Sequence, residues 1–259
     1  MKFKQYIVDA FAKNVFEGNP AAVCILDKWY EDDLLIKIAQ ENNLSETAFL
    51  VQTSNKNELR WFTPKAEIDL CGHATLATAH VVFEKLGYKE QSIIFSTLSG
   101  DLEVKKENNI YTMDFPSYTL ENKEITKEIE NALGVKVVEV LLGRDLLCVL
   151  ENEDVVRNFE PDLEKIEKLE GLLLHITAQS TNYDCISRTF APKLNVSEDP
   201  VCGSGHCHIF PYWSKKLNKN KLLGYQASKR GGELVGELVN NRVVLGGSAV
   251  IFSEGEITI

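Results

Sequence analysis

Asp69-Leu-Cys71-Gly72-His73-Ala74-Thr-Leu-Ala-Thr-Ala-His80-Val-Val-Phe-Glu-Lys-Leu-Gly87 is the stretch on which the fold turns. From Gly72 to Leu86, residues Ala74, Leu76, Ala77, Ala79, Val81 and Val82 fall on nearly every side of a helix, and Gly87 stands where a cap belongs. A helix apolar all round is a buried one, so the pattern predicts a helix wrapped by sheet. A second Cys-Gly pair, Cys202-Gly203, opens another helical stretch running to about Leu217. Pro211 lies inside it and must remove one ladder bond.

The second pair belongs to a wider duplication. Phe62-Thr-Pro64-Lys65 answers Phe190-Ala-Pro192-Lys193 at an offset of 128, and Cys71-Gly72 answers Cys202-Gly203 at 131. Gly100-Asp-Leu102 answers Gly232-Glu-Leu234, and Asn108-Asn109 answers Asn240-Asn241, both at 132. A period of half the chain is not that of a solenoid, whose units are far shorter. Two copies of one domain are expected, 1–118 and 119–259, with the last strand able to return to the first. Glu31–Asn42 and Asp162–Leu169 read as amphipathic helices, followed by apolar strands at Ala48–Val51 and Leu172–Ile176.

The chain has 259 residues, and its 28 basic against 38 acidic side chains leave a net charge of −10. No Lys/Arg cluster is dense enough to meet a phosphate backbone, so a nucleic-acid partner is not expected. No apolar run reaches the length of a membrane span, and the N-terminus meets Asp9 before any signal-like run. The six cysteines are too sparse for a secreted disulfide scaffold, so a cytoplasmic, reduced protein is the expectation. Cys24, Cys148 and Cys185 sit in apolar runs and read as buried thiols.

Six motifs together resemble the PhzF-like phenazine-biosynthesis isomerase family: Gly18-Asn-Pro20, Asn43-Leu-Ser-Glu46-Thr-Ala-Phe, Arg60-Trp-Phe-Thr-Pro64, Asp69-Leu-Cys-Gly-His73, Glu198-Asp199-Pro-Val-Cys-Gly-Ser204-Gly and Arg230-Gly-Gly. The resemblance spans essentially the whole chain. It implies an α+β, diaminopimelate epimerase-like fold: two similar domains related by a pseudo-twofold axis, each a mixed β-sheet rolled around a central helix, with the site in the cleft between them. It also implies proton transfer at carbon without metal or cofactor, and a homodimer. The founding member isomerises a dihydro-hydroxyanthranilate using a glutamate, a histidine, an aspartate and a serine. By motif position these fall on Glu46, His73, Asp199 and Ser204.

Each residue also has a reading of its own. Alternation places Leu44, Glu46, Ala48 and Leu50 on one strand face, where a lone carboxyl is desolvated and suited to carry a proton. His73 and Ser204 open the two central helices, and Ser204 is a natural N-cap. Helix starts leave backbone donors unpaired and carry partial positive charge. Gly72, Ala74, Gly203 and Gly205 are therefore expected, with Cys71 and Cys202, to line the site of a small anionic metabolite. Asp199, held extended by Pro200, otherwise reads as a turn residue.

Two alternatives stay open. Cys71 and Cys202 stand where diaminopimelate epimerase keeps its two catalytic cysteines, whereas PhzF-like proteins often carry threonine at the second position. Two thiols with pKa lowered at helix starts would suit a two-base racemase or epimerase. A relic of the fold that only binds is the non-enzymatic reading. A zinc site at Cys202, His206, Cys207 and His208 lacks further ligands at suitable spacing, and Gly203-Ser-Gly205 lacks the third glycine of a dinucleotide loop.

Overall fold

The structure is a computed structural model that describes every residue from Met1 to Ile259. The chain forms two compact units, one of Met1–Asp114 with Gly246–Ile259 and the other of Phe115–Leu245. The division after Asp114 falls four residues before the one read from the sequence.

In the first unit the elements run β1 (Lys2–Ala10), β2 (Asn19–Leu26), α1 (Asp32–Asn42), β3 (Thr47–Gln52), β4 (Asn57–Phe62), β5 (Glu67–Ile68), α2 (Gly72–Lys85), β6 (Ser92–Thr97), β7 (Gly100–Glu107) and β8 (Ile110–Pro116). β1–β2 is antiparallel, β2–β3 parallel, β3–β4 antiparallel, β4–β6 parallel and β6–β7 antiparallel, and β5 adds a short antiparallel rung to β4. The second unit runs β9 (Glu121–Lys123), α3 (Lys127–Leu133), β10 (Val137–Leu142), β11 (Leu146–Leu150), α4 (Glu153–Arg157), α5 (Leu163–Ile166), β12 (Leu174–Gln179), β13 (Cys185–Ala191), β14 (Val196–Asp199), α6 (Gly203–Leu217), β15 (Lys221–Gln226), β16 (Gly232–Val239) and β17 (Arg242–Gly247). Its pairings repeat the succession: β10–β11 antiparallel, β11–β12 parallel, β12–β13 antiparallel, β13–β15 parallel, β15–β16 antiparallel, with β14 as the short rung. The last strand, β18 (Ala249–Thr258), pairs antiparallel with β1.

The matched residues hold matched jobs. Cys71 and Cys202 are the N-caps of α2 and α6. Asn108 and Asn240 both take left-handed turn conformations, φ 55° and 56°. Arg60 grips Glu67 through Nε and Nη2 at 2.6 and 2.7 Å, and Arg188 grips Glu198 at 2.7 and 3.0 Å. Each guanidinium also lies over the next-but-one phenylalanine, Phe62 or Phe190.

α2 is buried along its length and packs on β1, β2, β3 and β18. Thr75 and Thr78 are tolerated there because each hydroxyl donates to a carbonyl one turn back, Cys71 O at 2.6 Å and Ala74 O at 2.7 Å. On the opposite face of the sheet α1 covers Cys24, Leu26, Phe49, Val51 and Phe62. β3 is therefore buried on both faces, and Glu46 lies one residue before it. Phe49 and Val51 face α1, whereas Glu46 meets His73 of α2 on the other side, the side that alternation gives to Ala48 and Leu50. The helix expected over Asp162–Leu169 is a single turn, Leu163–Ile166, and the strand expected at Leu172–Ile176 begins at Leu174.

Pro211 costs α6 less than its missing N–H suggests. The orphaned acceptor is Cys207 O, and the Tyr118 backbone N–H donates to it at 3.1 Å. Gly18, in the first motif, is required by its φ of +67°, and a Cβ there would lie 2.1 Å from Ala10 O. No helix is long and apolar enough to cross a membrane.

Candidate active site

Glu46 is delivered by a stop and a turn. Asn43 ends α1 in the left-handed conformation, donating its N–H to Ala39 O, and the chain turns through Leu44 and Ser45. The Glu46 carbonyl then accepts from Ala22 N–H on the parallel neighbour, which fixes where its side chain leaves the backbone. Glu46 Oε2 lies 3.2 Å from His73 Nε2 at the start of α2. The contact is an ion-pair approach off the hydrogen-bond line, and neither buried atom has a hydrogen-bond partner. The other ring nitrogen, Nδ1, meets Cys71 Sγ at 3.5 Å. The imidazole thus bridges carboxylate and thiol.

Burial alone would push His73 down. The Cys71 sulfur and the Glu46 carboxylate more than reverse that and leave it raised well above its usual value. Burial pushes the Cys71 thiol up, against the lowering influence of His73, and it pushes the Cys202 thiol up as well. The low-pKa thiols expected at helix starts are therefore not what the chain builds: desolvation outweighs the helix end. Glu46, Cys71 and His73 have ligand atoms within 4.8 Å of one another, but the two histidine nitrogens point to different partners. On β4, Trp61 Nε1 is another buried donor with no acceptor.

In the second unit Asp199 closes β14, and its Oδ1 accepts from Val201 N–H at 3.1 Å. Gln226, fully buried, ties this turn together: Nε2 donates to Asp199 O at 2.6 Å and Oε1 accepts from Cys202 N–H at 2.9 Å. The N-cap of α6 is Cys202, whose sulfur accepts from Gly205 N–H at 3.3 Å. Ser204 is not the cap. It lies exposed in the first turn, its Oγ 3.5 Å from Cys202 Sγ. The amide of Ala74 is likewise directed at the Cys71 sulfur. Of the expected anion-binding amides, Gly72 and Gly203 remain without an acceptor inside their helices, together with those of His73 and Ser204.

Gly205 has a second reason to be glycine, since a Cβ there would lie 2.7 Å from the His175 ring. Gly205→Ala is expected to lower stability by about 1–3 kcal/mol through overpacking, measured by urea unfolding. The side chains of the Cys202, His206, Cys207 and His208 run turn to other partners. His206 points Nδ1 at Cys202 O at 2.8 Å, and Cys207 Sγ donates to Gly203 O. Burial pushes His206 and His208 down to about 4, so both are neutral at physiological pH.

A group missed in the sequence surrounds the start of α6. Asp145, fully buried, accepts from Arg144 Nε at 3.0 Å and Nη2 at 2.6 Å, and its Oδ2 meets His175 Nε2 at 3.1 Å. Burial works to raise Asp145, but the hydrogen bonds and charges of His175 and Arg144 hold it well below the usual carboxylate range. Asp145, His175 and His208 also have ligand atoms within 4.8 Å. Their atoms are engaged, however: His208 Nε2 accepts from Asp145 N–H, its Nδ1 meets Ser204 O, and His175 Nδ1 meets Thr189 Oγ1. The available signal was a charged pair and a histidine inside apolar runs, where such residues are rarely buried unless paired.

Two similar units, each with a strand set around a buried helix that begins at a Cys-Gly pair, define an epimerase-like fold. The phenazine biosynthesis-like protein (PhzC-PhzF) family model matches residues 8–255, and the chain belongs to that family. It is 44% identical over 260 residues to an uncharacterized isomerase of Pseudomonas aeruginosa, covering 100% of both chains. A crystal structure of a phenazine biosynthesis protein of the PhzF family from Enterococcus faecalis matches with a TM-score of 0.98, 49% identity and 100% coverage of both chains. The fold extends to a hydroxyproline epimerase from Agrobacterium vitis with bound trans-4-hydroxy-L-proline, at a TM-score of 0.60 and 10% identity, covering 99% of this chain and 92% of that one.

Proposed function

We propose that this isomerase moves a proton between carbons of a small carboxylic or amino acid, cyclic in the favoured case, with Glu46 as the general acid and base. The observation that carries the reading is the Glu46–His73 contact: two buried polar atoms 3.2 Å apart, neither in a hydrogen bond. A native chain seldom leaves such atoms without a purpose. His73, raised above its usual value, faces Glu46 through Nε2, and the Glu46 carboxyl is the group that takes a proton from carbon. Once protonated, the same carboxyl returns that proton to another carbon on the same side of a conjugated substrate. Asp199 and Ser204 are assigned to the same reaction by their motif, and the amides of Gly72 and Gly203 to the substrate's anionic group. The homodimer and cytoplasmic location implied by the resemblance belong to this reading.

A two-base epimerase through Cys71 and Cys202 is the second reading, and the 3.5 Å approach of Cys71 to His73 is what favours it. Burial counts against it, because both thiols are pushed up and resist becoming thiolates. Activity is expected to survive exhaustive chelation and dialysis without added nicotinamide, flavin or pyridoxal. Stoichiometric zinc by elemental analysis, with activity lost on its removal, would overturn that expectation.

A further inference from the structure

The turn from β10 to β11 presses Arg144 against the first turn of α6. Gly143 permits the approach, since a Cβ there would lie 3.0 Å from the His208 ring. Asp145 holds the guanidinium along one edge, and Nη1 donates to the Tyr118 hydroxyl at 3.1 Å. Tyr118 is itself stacked on His208, with centroids 4.0 Å apart. Asp145 cannot swing away, because Leu173 N–H also donates to it at 3.3 Å and His175 Nε2 faces its other oxygen. A planar fork held at several donors has little freedom left. Its remaining contact is Nη2 to Ser204 Oγ, at 3.1 Å.

Arginine has donors only. Ser204 Oγ therefore accepts from Arg144, and its own hydrogen must point elsewhere. The taker within reach is Cys202 Sγ at 3.5 Å, but that sulfur already accepts from Gly205 N–H. We propose that Arg144 is a positioning residue that fixes the Ser204 hydroxyl as a hydrogen-bond donor toward substrate. The position then offers its hydrogen to an acceptor group, such as a carboxylate oxygen. The proposal rests on Ser204 being a substrate contact, as in the proposed function, but the polarity of the hydroxyl is a property of the chain alone.

The test therefore begins without substrate. Ser204→Cys puts a thiol beside Arg144, and all six native thiols are buried, so iodoacetamide reports on the new one. A donating cation favours thiolate. The alkylation profile is expected to lie below that of free cysteine, and adding Arg144→Met should cut the thiolate fraction at fixed pH by about tenfold. Arg144→Lys, which keeps the charge without the fork, should recover part of the shift and stands in if Arg144→Met fails to fold. Profiles that coincide with and without Arg144 overturn the proposal.

The second arm uses anthranilate as a cyclic amino-acid probe, with affinity read by calorimetry. Ser204→Ala and Arg144→Met are each expected to weaken binding by about tenfold or more, and the double variant by less than the product of the two. Independent, multiplying losses overturn the proposal. Failure of wild type to bind anthranilate counts against the substrate class, and the thiol profile then decides alone. Neither arm needs turnover, so a Glu46→Gln variant that stayed active would sink the proton-transfer reading while leaving both outcomes legible.

Discussion

Glu46→Gln is expected to lower turnover by about 10²–10⁴-fold, the loss that follows removal of a positioned acid–base group. Folding should be nearly unaffected, because the amide keeps the size of the carboxyl and Glu46 makes no side-chain hydrogen bond that the fold depends on. Cys71→Ala and Cys202→Ala should cost far less turnover under the same assay. Their thiols are buried at 6% and 4% exposure and pushed up by that burial, so what they lose is packing and, at Cys202, the acceptor that caps α6. The epimerase reading predicts the reverse ranking, with either cysteine change crippling. Turnover in heavy water separates the two again. A carboxyl shuttle moves hydrogen between carbons and can keep the original atom, whereas a two-base exchange puts solvent deuterium at an inverted centre. An active Glu46→Gln beside inactive cysteine variants would transfer the assignment to the epimerase reading.

The architecture was legible because the strongest signals were long-range copies rather than local propensities. A helix apolar on every side must be buried, and a second Cys-Gly pair 131 residues on, again opening a helix, points to a second similar setting. Both faces of β3 are covered, so its burial does not alternate, yet the alternation through Glu46, Ala48 and Leu50 puts the carboxyl on the side of α2, where His73 stands. A weaker periodicity misled at Asp162–Leu169. The short α5 has Ile166 and Leu169 buried at its end, which imitates a longer amphipathic helix.

Several residues of the quoted motifs turn out to support the fold. Arg60 ties β4 to Asp32 and Glu67 while lying over Trp29, and Gly231, at φ +68°, makes room for the Tyr225 hydroxyl. Among the proposed reacting residues, the structure pairs Glu46 with His73 in the first unit, a pairing that spans 27 positions of sequence and that no spacing rule reveals. The Arg144–Asp145–His175 group escaped notice for a related reason. Its members come from a hairpin turn and a strand that meet through the parallel pairing of β11 with β12, and α6 comes close to them where Gly143 and Gly205 leave room for the histidine rings.

That group carries the largest stability effect. Asp145→Ala is expected to destabilise the unit that contains it by about 3–5 kcal/mol, the usual result of removing one partner from a buried charge pair. Attraction between the charges is the smaller part of the argument. The deletion leaves the Leu173 amide, His175 Nε2 and the bound edge of Arg144 without their acceptor, and buried groups stripped of partners account for most of such losses. Asp145→Asn keeps an acceptor oxygen and should fall between Asp145→Ala and wild type. The sign of the pH dependence follows from the depressed carboxyl. Its contribution is full above the usual aspartate value of 3.8 and is lost only as pH falls through the lower folded-state value. The stability gap between wild type and Asp145→Asn, read from urea midpoints, should therefore stay level from neutrality down to about pH 5 and close below pH 4. A gap that widened with acid, or an Asp145→Ala variant as stable as wild type, would show that the charge is not held by the partners the structure gives it.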